Sequence, residues 1–134
     1  MRPSIAPMSV SRALAWGMGI ALPLGETVRR WGVWGYPPSW LDDYLIGLFL
    51  LVAAWRGGRH RPCARAWLAG AWGFAAGVLY CSFFGHLREI DQPVDSKFFT
   101  HVPLAILIGA AFGVTLVALV ITLLSDPAQR HPRG

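Results

Sequence analysis

Four apolar stretches, separated by short polar segments, divide the chain of 134 residues. They run over 10–28, 40–55, 66–87 and 102–124. The third and fourth contain no Asp, Glu, Lys or Arg, and each is long enough as a helix to cross the roughly 30 Å hydrocarbon core of a bilayer. We therefore predict an all-α membrane protein, a bundle of four transmembrane helices that forms a single domain over 1–134, with a disordered tail from 125 to 134.

The first stretch is short, because its apolar part ends at Leu24 and Glu26 follows closely. It reaches Val28 only if Glu26 lies at the membrane interface or faces protein. A cleaved signal peptide is the alternative, with Arg2 and Arg12 as its basic region. No small-x-small cleavage site follows the apolar run, so we favour a retained helix.

The composition of the chain supports lipid as its surroundings. Hydrophobic residues make up 54% of the chain and charged residues only 14%, whereas a soluble domain carries about a quarter charged residues. Apolar surface on this scale needs a bilayer or a large partner to cover it. The net charge of +5 does not indicate nucleic-acid binding, because the basic residues are spread over the segment ends and form no stripe.

The distribution of Lys and Arg predicts the orientation in the membrane. With four spans, both termini and the second loop share one side, which carries eight basic residues: Arg2, Arg12, Arg56, Arg59, Arg61, Arg65, Arg130 and Arg133. The other side carries four: Arg29, Arg30, Arg88 and Lys97. Because cytoplasmic loops collect Lys and Arg, we predict a multi-pass protein of a bacterial inner membrane with both termini cytoplasmic, N-in and C-in.

Small residues recur in the third and fourth stretches. Gly73 and Gly77 form a GxxxG pair within a ridge of small residues, and Gly109 and Gly113 form another. Small residues let two helix backbones approach closely within lipid. We expect these glycines to pack the third helix against the fourth, and a homodimer through one of the ridges is the alternative.

Polar residues gather at the predicted outer ends of the helices. We take as a candidate outer-face site Glu26, Arg30, Asp42, Asp43, Tyr80 and His86. His86 and His101, with Asp43 behind them, are the candidates for binding haem, a quinone or a metal. Helix capping by Asp42 and a favourable helix-dipole position for Asp43 explain these acids without a ligand. No HxxxH or CxxC spacing occurs, and we predict no metal and no cofactor.

Glu26 is the one acid of the first stretch. Acids buried in membrane helices bind cations or carry protons, and four short helices invite comparison with small multidrug transporters. Those proteins hold their glutamate in the middle of the first helix, whereas Glu26 lies at the end and is followed by Arg29 and Arg30. We therefore favour an ion pair between Glu26 and Arg30 at helical spacing.

Two segments, WLDDYLIG (Trp40–Gly47) and AWGFAAGVLYCSFFGHL (Ala71–Leu87), resemble segments of small multi-helix bacterial inner-membrane proteins of uncharacterised function. The resemblance implies an inner-membrane protein with several helices. It brings with it no activity, cofactor or binding residue.

We predict a small integral membrane protein without enzymatic activity, an accessory, assembly or interaction subunit whose partners are the lipid bilayer and a membrane protein or further copies of itself. The alternatives are a small transporter or channel that uses the outer-face acids, and a haem- or quinone-binding redox protein. An inward-facing acid with a water path would favour transport, and convergence of His86 with His101 would favour a cofactor. A glycine ridge facing lipid would favour a partner.

Overall fold

The computed structural model describes residues 7–32, 38–58, 63–91, 93 and 100–125. These residues form four α-helices and no strand: α1 (Pro7–Arg29), α2 (Pro38–Gly57), α3 (Ala64–Arg88) and α4 (His101–Leu124). The prediction of an all-helical fold with four helices is confirmed. Each helix extends a little beyond its predicted limits, because hydropathy marks the end of the apolar part while backbone hydrogen bonding continues into the polar flanks. Residues 126–134 of the predicted tail lie outside the described part of the chain.

Two of the four helices are long and apolar enough to cross a membrane. These are α3 and α4, whose mean hydropathies are 1.4 and 2.8. The lengths of α1 and α2, 23 and 20 residues, are sufficient, but polar side chains such as Glu26, Asp42 and Asp43 lower their hydropathy. Length and composition therefore support membrane association through two helices.

The helices pack as two antiparallel hairpins, α1 with α2 and α3 with α4, and α2 against α3 joins them. The buried face of α3 is a stripe of apolar residues spaced three and four apart: Leu68, Ala71, Trp72, Ala75 and Leu79. Ile46 and Leu50 of α2 pack into the same core, and both are fully buried. The centre of the bundle is therefore filled mainly by α2 and α3.

The helices α1 and α2 approach each other closely at two glycines. A Cβ atom at Gly19 would lie 2.8 Å from Cγ of Leu51, and one at Gly47 would overlap the ring of Pro23 and the carbonyl oxygen of Gly19. Gly19 and Pro23 of α1 both face α2 at this point, and Pro23 has no N–H to donate to the Gly19 carbonyl. Gly47 is therefore required by the packing of the first hairpin.

The two GxxxG pairs pack differently from the prediction. Gly73 and Gly77 are exposed, and a Cβ atom at either, or at Gly113, would meet nothing within 4 Å. Only Gly109 meets a neighbouring helix, with a Cβ position 2.9 Å from the ring of Phe83. The expectation that Gly73, Gly77 and Gly113 pack α3 against α4 is wrong, because α3 turns its alanine stripe inwards instead. The homodimer alternative stays a prediction.

The end of the bundle where α1 begins and α4 ends, here called the closed end, is held by a directed chain of hydrogen bonds. Trp72 Nε1 donates to Ser11 Oγ at 2.9 Å, and Thr122 Oγ1 donates to the carbonyl of Ala118 at 2.7 Å. Ser11 and Thr122 lie 2.5 Å apart, and since the Thr122 hydroxyl proton is already used, Ser11 donates to it. Three helices, α1, α3 and α4, are thereby joined through groups that are fully buried.

Arginine side chains reinforce the closed end. Arg12 Nε donates to the carbonyl of Ala54 at 2.8 Å, which ties the start of α1 to the end of α2. Arg65 donates to the carbonyl of Leu123 near the end of α4, and the guanidinium of Arg56 lies 4.6 Å from the ring centre of Trp67. Helix-terminal carbonyls have no partner within their own helix, so Arg12 and Arg65 supply donors that the helices lack.

Candidate functional site

A cavity of about 450 Å³ lies at the opposite end of the bundle, here called the cavity end. It separates α1 from α4, and α2 and α3 contribute to its walls. The volume falls within the roughly 300–1,000 Å³ of small-molecule sites. Seven residues of its lining are polar and are here called the polar wall: Glu26, Arg29, Arg30, Asp42, Asp43, Ser82 and His86. Eight residues of its lining are apolar and are here called the apolar wall: Ala21, Leu22, Gly25, Leu79, Leu104, Leu107, Ile108 and Ala111.

A buried ion-pair cluster forms the base of the polar wall. The carboxylate of Glu26 is only 3% exposed and accepts two hydrogen bonds from Arg29, at 2.6 and 2.7 Å. Arg30, also buried, donates its Nε to the same carboxylate at 2.6 Å. The expected pair of Glu26 with Arg30 is therefore present, and Arg29 completes it. Charge-assisted bonds from two guanidinium groups offset the cost of removing the carboxylate from water.

Two further acids enter the site from the start of α2. Asp43 lies within hydrogen-bonding reach of Glu26, and Asp42 lies at the exposed rim of the cavity. Tyr44 fixes this helix start against α1: Thr27 donates to the carbonyl of Pro23 at 2.7 Å, so Tyr44 donates to Thr27 at 2.6 Å. The predicted acids are thus brought together with Glu26 in one site.

His86 and His101 converge, as one of the alternatives required. Their Nδ1 atoms lie 3.3 Å apart, which joins the end of α3 to the start of α4. His86 lines the cavity, whereas His101 is buried behind it, at 6% exposure. Nε2 of His101 is buried without a hydrogen-bond partner within the described residues. Among the described residues, His101 Nε2 therefore has an unmet hydrogen-bonding requirement.

The arrangement does not resemble a metal centre. Across 7–32, 38–58, 63–91, 93 and 100–125, no group of three or more His, Cys, Asp or Glu side chains could hold a metal ion.

Tyr80 is the predicted site residue that the structure places elsewhere. It is 52% exposed and stacks with Phe84 and Phe112 on the outer surface of α3 and α4, away from the cavity. Conversely, the apolar wall was not anticipated. The helix α4 is apolar along its whole length, so the sequence pattern does not distinguish Leu104, Ile108 and Ala111 from the other apolar residues of the helix. Their spacing of three and four identifies them as one face of the cavity only once the polar residues that line the same cavity are known.

Comparison with known proteins finds no matching family model, curated protein or solved structure. The resemblance to small bacterial inner-membrane proteins accordingly stays a prediction. What the site can do therefore has to be argued from its own geometry.

Proposed function

We propose that this chain is a non-enzymatic, four-span inner-membrane protein with both termini in the cytoplasm, and that it binds a small amphipathic molecule in the cavity. The closed end then faces the cytoplasm and the cavity lies in the outer half of the bilayer. The observation that carries the proposal is that charged and aliphatic side chains line the same cavity.

Four spans are supported by the outward faces of α1 and α2. At about 1.5 Å per residue these helices are about 35 Å and about 30 Å long, which matches a bilayer core of roughly 30 Å. Both carry exposed apolar stripes that lipid would cover: Ile20, Leu24 and Val28 on α1, and Leu41, Leu45 and Leu48 on α2. The charges that lower their hydropathy face the cavity or the helix ends, where a span tolerates them.

A ligand role accounts for the polar wall better than a purely structural one does. Replacing a buried ion pair by well-packed apolar residues is often neutral or stabilising, so stability alone does not favour such a cluster. Sites for small molecules combine mostly apolar walls with a few convergent polar groups, which is the composition of this cavity. An amphipathic molecule would satisfy both walls at once.

The test is photolabelling of the full-length protein in lipid nanodiscs with a long-chain alcohol that carries a diazirine beside its head. The proposal predicts labelled peptides from α1 and α4 at the cavity end, competed away by excess unlabelled alcohol. Ala111→Phe fills the cavity and should abolish this labelling. Ala110→Phe, the same change at an exposed neighbour, should leave it intact. Uniform labelling of the outer faces in all three proteins would refute the proposal.

Transport is the second candidate, because Glu26 is a buried acid that lines the cavity. The hydrogen-bond chain from Trp72 to Thr122 closes the opposite end, which favours binding over passage in this conformation. Flux of a cationic dye into proteoliposomes, driven by a proton gradient and lost in Glu26→Gln, would support transport instead.

A further inference from the structure

The histidine pair narrows the chemistry of the ligand, provided that the proposed function holds. We infer that the cavity takes a neutral amphiphile whose head presents a carbonyl oxygen, of the isoprenoid-quinone class, and that His86 Nε2–H is its hydrogen-bond donor. We infer binding alone, with no reaction of the ligand.

One proton lies between the two rings. The two Nδ1 atoms lie 3.3 Å apart, which is within hydrogen-bonding distance. A hydrogen bond forms between them only if one carries a hydrogen and the other accepts it. Either His101 donates to His86, or His86 donates to His101. A neutral ring carries one proton, on Nδ1 or on Nε2. Each choice therefore also decides which of the two Nε2 atoms is protonated.

Burial of His101 selects between the two arrangements. If His101 accepted at Nδ1, its Nε2 would carry a proton, and that N–H would be buried without an acceptor within the described residues. Orphaned buried N–H groups are rarer in proteins than under-satisfied acceptors. The favoured arrangement therefore has His101 donating from Nδ1, which leaves His86 protonated at Nε2.

His86 thereby becomes a donor for the cavity. Its Nδ1 edge is turned to His101, and His86 is the member of the pair that lines the cavity. The opposite edge, Nε2–H, is the one available to a ligand. A group that satisfies it must accept a hydrogen bond, as a carbonyl oxygen does.

The charges of the polar wall favour a neutral head. The guanidinium groups of Arg29 and Arg30 both pair with the carboxylate of Glu26, and the carboxyl group of Asp43 lies in the same lining. An anionic head would meet the carboxyl groups and a cationic head the guanidinium groups, each at a Coulombic cost in a poorly solvated site. Asp42 adds a charge only at the exposed rim, where water screens it.

The apolar wall provides a route for a tail. Leu107 lines the cavity and is also 55% exposed, so the cavity adjoins the outer surface of α4. In the proposed membrane arrangement that surface is covered by lipid chains. An isoprenoid tail could extend from the cavity into the bilayer while the ring stays beside His86.

The test titrates the full-length protein, in nanodiscs of phosphatidylcholine, with a benzoquinone bearing one isoprene unit and with the same isoprene unit on a plain benzene ring. Isothermal calorimetry should show tighter binding of the quinone. His86→Leu should weaken quinone binding by about fivefold, the value of one neutral hydrogen bond, and leave the benzene analogue unchanged. His86→Gln, which keeps an N–H donor, should recover most of the affinity. The folding control is that each of the two variants is purified as an intact, helical protein.

A second readout addresses the proton itself. In protein with ¹⁵N-labelled histidine rings, NMR should show His86 protonated at Nε2 and His101 at Nδ1, with His60 and His131 replaced to simplify the spectrum. The opposite tautomers, or equal affinity for the quinone and its benzene analogue, would overturn the inference. If the benzene analogue still binds and Ala111→Phe abolishes its binding, the proposed function survives without the quinone. If Ala111→Phe changes the binding of neither the quinone nor its benzene analogue, the proposed function fails as well.

Discussion

The two ends of this bundle solve the problem of buried polar groups in opposite ways. At the closed end the fully buried polar side chains are uncharged, and a directed chain from Trp72 through Ser11 and Thr122 to the carbonyl of Ala118 pairs them. At the cavity end, Glu26 and Arg30 are charged and buried beside empty volume, and His101 Nε2 is buried without a partner in the described residues.

The difference supports the proposal that the closed end serves stability and the cavity end serves recognition. A fully paired neutral network holds three helices together at little electrostatic cost. A buried charge cluster beside a cavity is costly to maintain, and such groups concentrate where a protein binds or transforms something. The following substitutions are designed to break this contrast, from the largest expected effect to the smallest.

Removing the carboxylate of the cavity end should have the largest effect. Glu26→Leu removes the carboxylate with which Arg29 and Arg30 both pair, and removing one partner of a buried ion pair costs about 3–5 kcal/mol. Denaturation by SDS in mixed micelles measures the change. Asp42→Asn removes an acid from the exposed rim of the same cavity and should change the unfolding free energy by less than about 0.5 kcal/mol. Equal effects of the two would show that the cluster is not the electrostatic centre of the site.

Adding one methyl group should change the unfolding free energy in opposite directions at a packed glycine and at an exposed glycine. Gly47→Ala places a Cβ atom against the Pro23 ring and the Gly19 carbonyl, and overpacking of this kind costs about 1–3 kcal/mol. Gly73→Ala meets no neighbour within 4 Å and should stabilise α3 by about 0.5–1 kcal/mol through helix propensity. The same denaturation assay compares them. Loss of self-association in Gly73→Ala, seen by analytical ultracentrifugation, would instead support the homodimer predicted from the GxxxG ridge.

Cutting the hydrogen-bond chain at the closed end should have the smallest effect. Thr122→Val keeps the shape of the side chain but deprives Ser11 of its acceptor, at a cost of about 1 kcal/mol. Thr115→Val is the matched control, because Thr115 is equally buried but bonds only to Phe112 of its own helix. Photolabelling at the cavity end should be unchanged in both variants. A change in labelling would mean that the two ends are coupled, which the contrast between them does not predict.

The sequence predicted the coarse fold and the polar half of the site. Apolar runs bounded by charges and prolines are enough to place four helices, and an up-and-down arrangement brings alternate helix ends together. That argument anticipated the meeting of His86 with His101 and of Glu26 with Asp43, since all four lie at helix ends of the same side. Helix ends are marked in a sequence by the polar residues that stand there.

Helix faces could not be predicted in the same way. The ridge of Gly73 and Gly77 and the stripe of Ala71 and Ala75 lie on one apolar helix, and hydropathy does not distinguish between them. Gly47, by contrast, is a lone glycine whose role depends on Pro23 of another helix. Pairings such as Ser11 with Thr122, 111 positions apart, depend on the rotation of each helix about its axis, which the apolar pattern leaves undetermined.

Native mass spectrometry of the full-length protein, extracted gently from its own membrane, is the most direct test of the central claim that the cavity end is a binding site. The account predicts one molecule of a neutral amphiphile bound to each wild-type chain, retained in Ala110→Phe and lost in Ala111→Phe. A wild-type chain that carries no small molecule, or one whose bound mass is indifferent to Ala111→Phe, would contradict it.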